Sequence, residues 1–308
     1  MAPIDGVDHF RGGSCHSSPL CARWSASWGQ GTLTGCAPPS DMGLSASGDW
    51  LTRRLKLPHT AEHGVDDPET TIQRRRIVQE KRFLRRVYLD WYDAIAKGLP
   101  AGPEPVLELG AGAGFLQQHI PNVIASDILC LPGIDFVADG SRLPLRSGSL
   151  RAIVMTNVLH HIPDVGAFLG ESARCVRPGG ALVMIEPWVS RWSRLVYGRF
   201  HTEPFDPHAL DWVLPPGGPL SGANVALPWI VFARDRTTFE QRFPTWRITS
   251  IEPMMPFRYL LSGGVSLRSL VPSGTYQWWD SVEQLLSPWM SQWGMFARIV
   301  VTRTGQPS

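Results

Sequence analysis

The sequence has no C-x-x-C pair, no run of about 18 apolar residues and almost no net charge. Each absence removes a class. Five cysteines, Cys15, Cys21, Cys36, Cys130 and Cys175, make an odd set, which fits reduced thiols better than a disulfide framework. Cys15, His16 and Cys21 form the one grouping with metal-ligand character, and no metal is assigned to them. The best apolar run, Val225 to Phe232, is short and interrupted by Pro228, so no membrane span is expected. No basic segment leads into an apolar stretch at the amino terminus, and the compartment expected is the cytoplasm. Twenty-nine basic against 27 acidic residues leave a formal charge of +2, too little to draw in nucleic acid by an overall field. Tyrosine is scarce, 5 against 13 tryptophans, and nine of those tryptophans lie between Trp188 and Trp293.

What is present suits a sizeable core. Hydrophobic residues make up 43% of 308, about twice the ~150 residues of an average domain, while Gly and Pro together stay under a fifth. Residues 1–41 are rich in Gly, Ser and Pro without apolar periodicity and read as a disordered tail. Residues 42–100 read as a helical lid. Its helix starts after Asp67 as cap, with Pro68 in the first position and Glu69 in the first turn, and Ile77, Leu84, Tyr88, Trp91 and Ile95 recur at helical spacing. The opposite face is basic: residues 71–97 hold eight Lys or Arg against three acids, led by Arg74, Arg75, Arg76, Arg85 and Arg86. A solvated helix face and contact with an anionic substrate, membrane or nucleic acid both stay open.

From Pro105 the period changes. Short apolar strands are expected at 105–109, 122–126, 134–137, 152–156, 181–185, 246–251 and 296–302, with helices at 165–176 and from 237. Strands alternating with helices imply a mainly parallel sheet covered on both faces.

The segment Val106 to Phe115 places Glu108 at a strand end and then Gly110, Gly112 and Gly114. Glycines allow a tight strand-to-helix turn and close backbone approach of a ligand. A dinucleotide-binding turn would need glycine where Phe115 stands, and no Gly-Lys-Ser/Thr follows, so both phosphate-loop readings fail. Over Val106 to Pro187 the chain resembles the class I S-adenosylmethionine-dependent methyltransferases, in particular the small-molecule branch called methyltransferase type 11. The resemblance rests on the acidic-x-Gly-x-Gly-x-Gly loop, Asp127 closing the second strand 19 residues after Glu108, Asp139-Gly140 past the third, Asn157 to Ile162 with its Leu-His-His after the fourth, and Arg177-Pro178-Gly179-Gly180 before the fifth. Arg146 and Arg151 stand where that family usually carries acids.

The resemblance implies a Rossmann-like seven-stranded α/β sheet with helices on both faces, an N-terminal lid helix and aromatic-rich insertions. It implies a methyltransferase domain over 101–304, with a cofactor-binding half at 101–187 and acceptor-side insertions at about 188–239 and 255–293. The implied cofactor is S-adenosyl-L-methionine, held by Glu108, Gly110, Gly112, Asp127, Asp139, Gly140 and Asn157. Asp127 would take the ribose hydroxyls and Asp139 the adenine amino group. At the acceptor, candidate bases are His160 and His161 at the end of the fourth strand, with His201 and Glu203 in the following insertion. The expected function is methylation of a small molecule, a bulky or partly apolar glycan or lipid precursor among the candidates. A non-catalytic protein of the same fold is the alternative, and an RNA methyltransferase is disfavoured: the fourth strand is followed by neither a Pro-Pro-aromatic segment nor a Pro-Cys nucleophile. Peripheral membrane contact and oligomeric state stay open.

Overall fold

The computed structural model describes residues 64–305; the tail expected at 1–41 and the first part of the lid lie outside the described residues. Seven strands form one sheet in the order β3-β2-β1-β4-β5-β7-β6. They are β1 Val106–Leu109, β2 Val123–Asp127, β3 Phe136–Val137, β4 Leu150–Thr156, β5 Val176–Pro187, β6 Trp246–Met254 and β7 Phe296–Arg303. All are parallel except β7, which runs antiparallel between β5 and β6. This is the expected Rossmann-like α/β architecture.

Two-residue alternation decides what each strand packs against. Leu107, Leu109, Ile153, Met155, Leu182 and Met184 face one apolar cluster, which α3 Val165–Cys175 closes with Phe168 and Leu169. Val106, Ala152, Val154, Ala181, Val183 and Ile185 face the other, closed by Phe83, Leu84, Val87, Trp91 and Ile95. Both faces are therefore covered, as a largely parallel sheet requires.

The segment at 68–98 is two helices, α1 Pro68–Glu80 and α2 Arg82–Gly98, rather than one. Asp67 caps α1 as expected, accepting from the Glu69 amide at 2.9 Å. The break falls at Lys81, whose ammonium donates to the carbonyls of Gly264 and Leu267, both at 2.7 Å. Helix α2 packs into the core through Phe83, Leu84, Val87, Trp91 and Ile95, while Thr71 and Arg75 of α1 reach the glycine loop. After the glycine loop a single tight turn, Leu116–Gln118, replaces a long helix, with Pro121 just beyond. Cys130 departs from the reduced set expected: it is disulfide-bonded, whereas Cys175 is free and buried.

The insertions are helical and aromatic. Helix α4 Arg191–Phe200, opened by a Ser190–Ser193 capping box, follows β5. Helices α7 Arg258–Ser262, α8 Tyr276–Leu285 and α9 Met290–Trp293 lie between β6 and β7, while α5 Leu227–Trp229 and α6 Arg236–Arg242 precede β6.

Candidate active site

The glycine loop leaves β1 at its carboxyl end, the side of an open parallel sheet where ligands bind. Gly110 has φ +73°, and a Cβ there would overlap the Val158 side chain. Gly112 has no unusual φ, yet a Cβ would lie 2.6 Å from Thr71 Cγ2, 2.7 Å from Asp127 Oδ2 and 2.9 Å from Leu131 Cδ1. Close approach, rather than conformational freedom, demands glycine at 112. The Gly112 amide donates to Asp127 Oδ2 and the Leu129 amide to Oδ1, both at 2.9 Å, which fixes the carboxylate at the loop.

Glu108 and Asp127 are both buried beside the loop. Burial pushes Glu108 up to about 8, with the Asp127 charge adding and Arg75 opposing. Burial also raises Asp127, against the pull of the Leu129 and Gly112 amides and Arg75. Asp139 Oδ1 accepts from the amide and hydroxyl of Ser141, both at 2.8 Å. Gly140 beside it is buried, and a Cβ there would lie 2.8 Å from Leu109 Cδ2. Asn157 has a left-handed φ of 58° and donates its amide to Ile185 O at 2.8 Å. The seven cofactor candidates thus gather at the carboxyl ends of β1, β2 and β4 and just beyond β3.

Helix α1 covers this loop, which no motif announced. Arg75 Nε donates to Gly112 O at 2.7 Å and its Nη1 to Pro132 O. Thr71 is buried against Gly112, and its hydroxyl has no hydrogen-bond partner among the described residues. The helix is tethered before its start by Asp66, which takes the Leu220 and Ser221 amides at 2.6 and 2.9 Å. Tyr92, on α2, accepts from the Phe115 amide at 2.9 Å.

The four acid-base candidates also converge. His160 is buried, and its Nδ1–H donates to Glu186 Oε2 at 2.8 Å. The other oxygen of Glu186 takes the Val158 and Leu159 amides, both at 2.8 Å. His160 Nε2 lies 3.5 Å from Glu203 Oε2, and His161 Nε2 lies 4.0 Å from Glu203 Oε1. His161 Nδ1 faces Gly222 O at 3.2 Å, and the two rings are 4.2 Å apart. His201 sits at the exposed rim, where its Nδ1 accepts the Glu203 amide at 3.2 Å and its ring meets Tyr197.

Electrostatics separate these groups. Burial alone would lower His160, but Glu186 and Glu203 outweigh it and hold it up at about 9. Burial and the neighbouring His160 charge push His161 down to about 4, and burial also lowers His201. Glu203 is held down at about 2: burial opposes ionisation, and His160, His161 and His201 overcome it. Val158 joins the two halves, since its side chain lies against Gly110 and its amide holds Glu186. Thr71 and Arg75 are the residues that the motif analysis did not assign to the site.

The chain matches the methyltransferase-domain family over residues 107–184. Residues 107–184 are a class I methyltransferase domain. That family takes its methyl group from S-adenosylmethionine. The chain is 31% identical over 132 residues to a demethylmenaquinone methyltransferase from Beutenbergia cavernae, covering 37% of this chain and 55% of that one. It is 31% identical over 113 residues to a phthiotriol/phenolphthiotriol dimycocerosates methyltransferase from Mycobacterium tuberculosis, covering 31% and 42%. The chain thus spans about half the length of the curated relatives it matches. Among solved structures, geranyl diphosphate C-methyltransferase from Streptomyces coelicolor aligns with a TM-score of 0.44 and 13% identity, over 80% of this chain and 83% of that one. Among the described residues no helix is long and apolar enough to cross a membrane.

Proposed function

We propose that this methyltransferase transfers a methyl group from S-adenosylmethionine to a hydroxyl of a bulky, partly apolar small molecule, of the glycan- or lipid-precursor class. The observation that carries the reading is the convergence of His160, His161 and Glu203 on one spot beside the glycine loop, with Val158 as shared wall. The names of the relatives point the same way, to menaquinone precursors and phthiotriol dimycocerosates as acceptors of those proteins.

The residues present fit the cofactor. Glycine at 110 and 112 keeps the turn free of side chains where Val158, Thr71 and Asp127 crowd it, and the buried Thr71 hydroxyl beside it has no hydrogen-bond partner among the described residues. On this reading Glu108, Gly110, Gly112, Asp127, Asp139, Gly140 and Asn157 hold the cofactor, and Asp127 and Asp139 accept hydrogen bonds from its ribose and adenine. S-adenosylmethionine supplies an activated methyl group on a sulfonium. The protein then positions the acceptor and excludes water. Helix α1 closes the loop side through Thr71 and Arg75. The acceptor hydroxyl docks beside His161, whose neutral ring can take its proton as the oxygen is methylated, while Glu203 and the charged His160 frame the spot. Glu186 orients His160 and His201 orients Glu203. Exposed Trp278, Trp289 and Leu285 on the second insertion offer a surface for peripheral membrane contact. The compartment we propose is the cytoplasm, where the cofactor is available.

The test is a thermal shift with S-adenosylhomocysteine, followed by labelled methyl transfer from S-adenosylmethionine to hydroxylated lipids and isoprenoid quinols. Stabilisation by the ligand, abolished in Asp127→Ala, and label recovered in an extracted product are expected. No shift at saturating ligand sinks the cofactor reading. A shift without transfer to any acceptor, with a whole-cell extract included, favours a binding protein of this fold.

A further inference from the structure

We propose that His160, His161 and Glu203 form a binding site for a divalent transition ion, with an open face toward the acceptor. The argument begins with tautomers. Gly222 O can only accept, so the Nδ1 of His161 that faces it at 3.2 Å carries the hydrogen. The Nε2 of a neutral His161 is then a lone pair. It looks at Glu203 Oε1, 4.0 Å away, which is also an acceptor. Likewise the Glu186 carboxylate takes the Nδ1–H of His160, turning His160 Nε2 toward Glu203 Oε2 at 3.5 Å. Once His160 Nε2 gives up its proton, three electron-pair donors on three side chains point at one another, within 4.8 Å in all. Something positive belongs between them. One proton on His160 answers the nearer pair and leaves the His161–Glu203 pair facing each other unsatisfied.

Ligand atoms bound at ~2.0–2.2 Å around one ion lie about 3.4 Å apart in a tetrahedral arrangement. The His160–Glu203 separation of 3.5 Å already matches, and the half-buried Glu203 side chain is free to turn for the longer one. The surroundings are those of a prepared site. Imidazoles that bind metals give their other ring hydrogen to a carboxylate or a backbone carbonyl, which fixes both tautomer and orientation. Both arrangements occur here, Glu186 for His160 and Gly222 O for His161, and Glu186 is itself pinned by two amides. Two imidazoles and one carboxylate suit zinc, cobalt or iron(II) and disfavour magnesium or calcium, which prefer all-oxygen sites. Three protein ligands leave positions open for an oxygen of another molecule. Binding of the ion stands apart from methyl transfer; only its use in holding the acceptor oxygen rests on the function proposed above.

The experiment titrates Co(II) into the full-length protein and follows the visible ligand-field absorption, with Zn(II) as competitor. One Co(II) per chain, displaced by Zn(II), is expected. His161→Ala and Glu203→Gln should each weaken it about tenfold or more, and Glu186→Gln by about 10–100-fold, with circular dichroism unchanged. Glu203 is only partly buried, so its variant keeps the test valid if a histidine variant fails to fold. No stoichiometric uptake, or uptake undisturbed in Glu203→Gln, overturns the site; the latter places the ion elsewhere on the chain. The same samples are given S-adenosylhomocysteine. Co(II) uptake without a ligand shift removes the methyltransferase reading alone, and a shift without uptake removes the cation site alone.

Discussion

Glu108 makes the stability of this protein depend on pH with a sign opposite to that of most carboxylates. It points from β1 to the face packed by α2, fully enclosed, with Arg75 of α1, Asp127 of β2 and Tyr92 of α2 as its charged or titratable neighbours. In the unfolded chain it ionises at about 4.5, in the folded protein at about 8. Between those values the unfolded state binds fewer protons, so stability falls as pH rises from about 4.5 and levels off above about 8. At ~1.4 kcal/mol per pH unit the loss is on the order of 4–5 kcal/mol, a large part of the ~5–15 kcal/mol typical of a folded domain. Glu108→Gln keeps the shape and removes the titration. Urea denaturation of both proteins at pH 5, 7 and 9, pH values about spanning that window, isolates the effect, because other groups cancel in the difference. The parent should lose several kcal/mol relative to Glu108→Gln between the lowest and highest pH. A difference that stays flat would refute the burial argument. Strongly perturbed carboxylates cluster at functional sites, which supports the cofactor role proposed for Glu108.

Two further substitutions test other parts of the structure. Gly112→Ala places a Cβ 2.6 Å from Thr71 Cγ2 and 2.7 Å from Asp127 Oδ2, so α1 or the carboxylate must move. About 1–3 kcal/mol of stability should be lost together with the S-adenosylhomocysteine thermal shift; an unchanged shift would show that the loop does not meet the ligand. Arg258→Ala strips the buried Glu283 of its partner at 2.6 Å and also unties Asp90 and Asp280. Loss of about 3–5 kcal/mol is expected in chemical denaturation, and a cost under about 1 kcal/mol would place this cluster among solvated surface pairs.

The sheet was legible because a doubly covered strand must be apolar on both faces, as the centres of β4, β5 and β7 are, and because the edge strand β6 alternates buried Trp246 and Ile248 with exposed Arg247 and Thr249. Their ends were not. β4 begins at Leu150 and includes Arg151, whose guanidinium reaches back to Glu104 O and Pro100 O, and β5 begins at Val176 and runs through Arg177 and Gly179. Pairing with a neighbour, not residue character, recruits those positions. The break at Lys81 was invisible for the same reason: no Gly or Pro marks it, and carbonyls of residues 264 and 267 hold it. The basic face of 71–97 was open between solvation and an anionic partner. Arg75 and Lys81 instead donate to backbone carbonyls, while Arg85 and Arg86 lie over the Phe115 and Tyr276 rings. The candidate histidines and Glu203 were found by residue type, but Glu186, which orders them, was legible only as a neighbour of the same strand end.

The tryptophan surplus divides in a way that composition cannot express. Trp188, Trp212 and Trp246 are buried in the apolar clusters of the sheet and act as packing. Trp192, Phe257, Trp279 and Trp293 instead form a chain of rings 5.7–6.2 Å apart that joins α4 to the second insertion. The Trp192 indole N–H donates across the same junction to Pro256 O at 3.0 Å. Aromatic contacts of this kind contribute about 0.5–1.5 kcal/mol each beyond area burial, so α4 and the second insertion are held together as one unit. Trp278 and Trp289 then remain 61% and 52% exposed on the outer side of that unit. Leu285, seven residues after Trp278 on α8, is exposed on the same side of that helix. On the proposed reading the glycine-loop half of the sheet serves any acceptor, and selection of an apolar one falls to this aromatic unit, whose inner rings brace the pocket and whose outer rings meet the phase from which such a molecule comes.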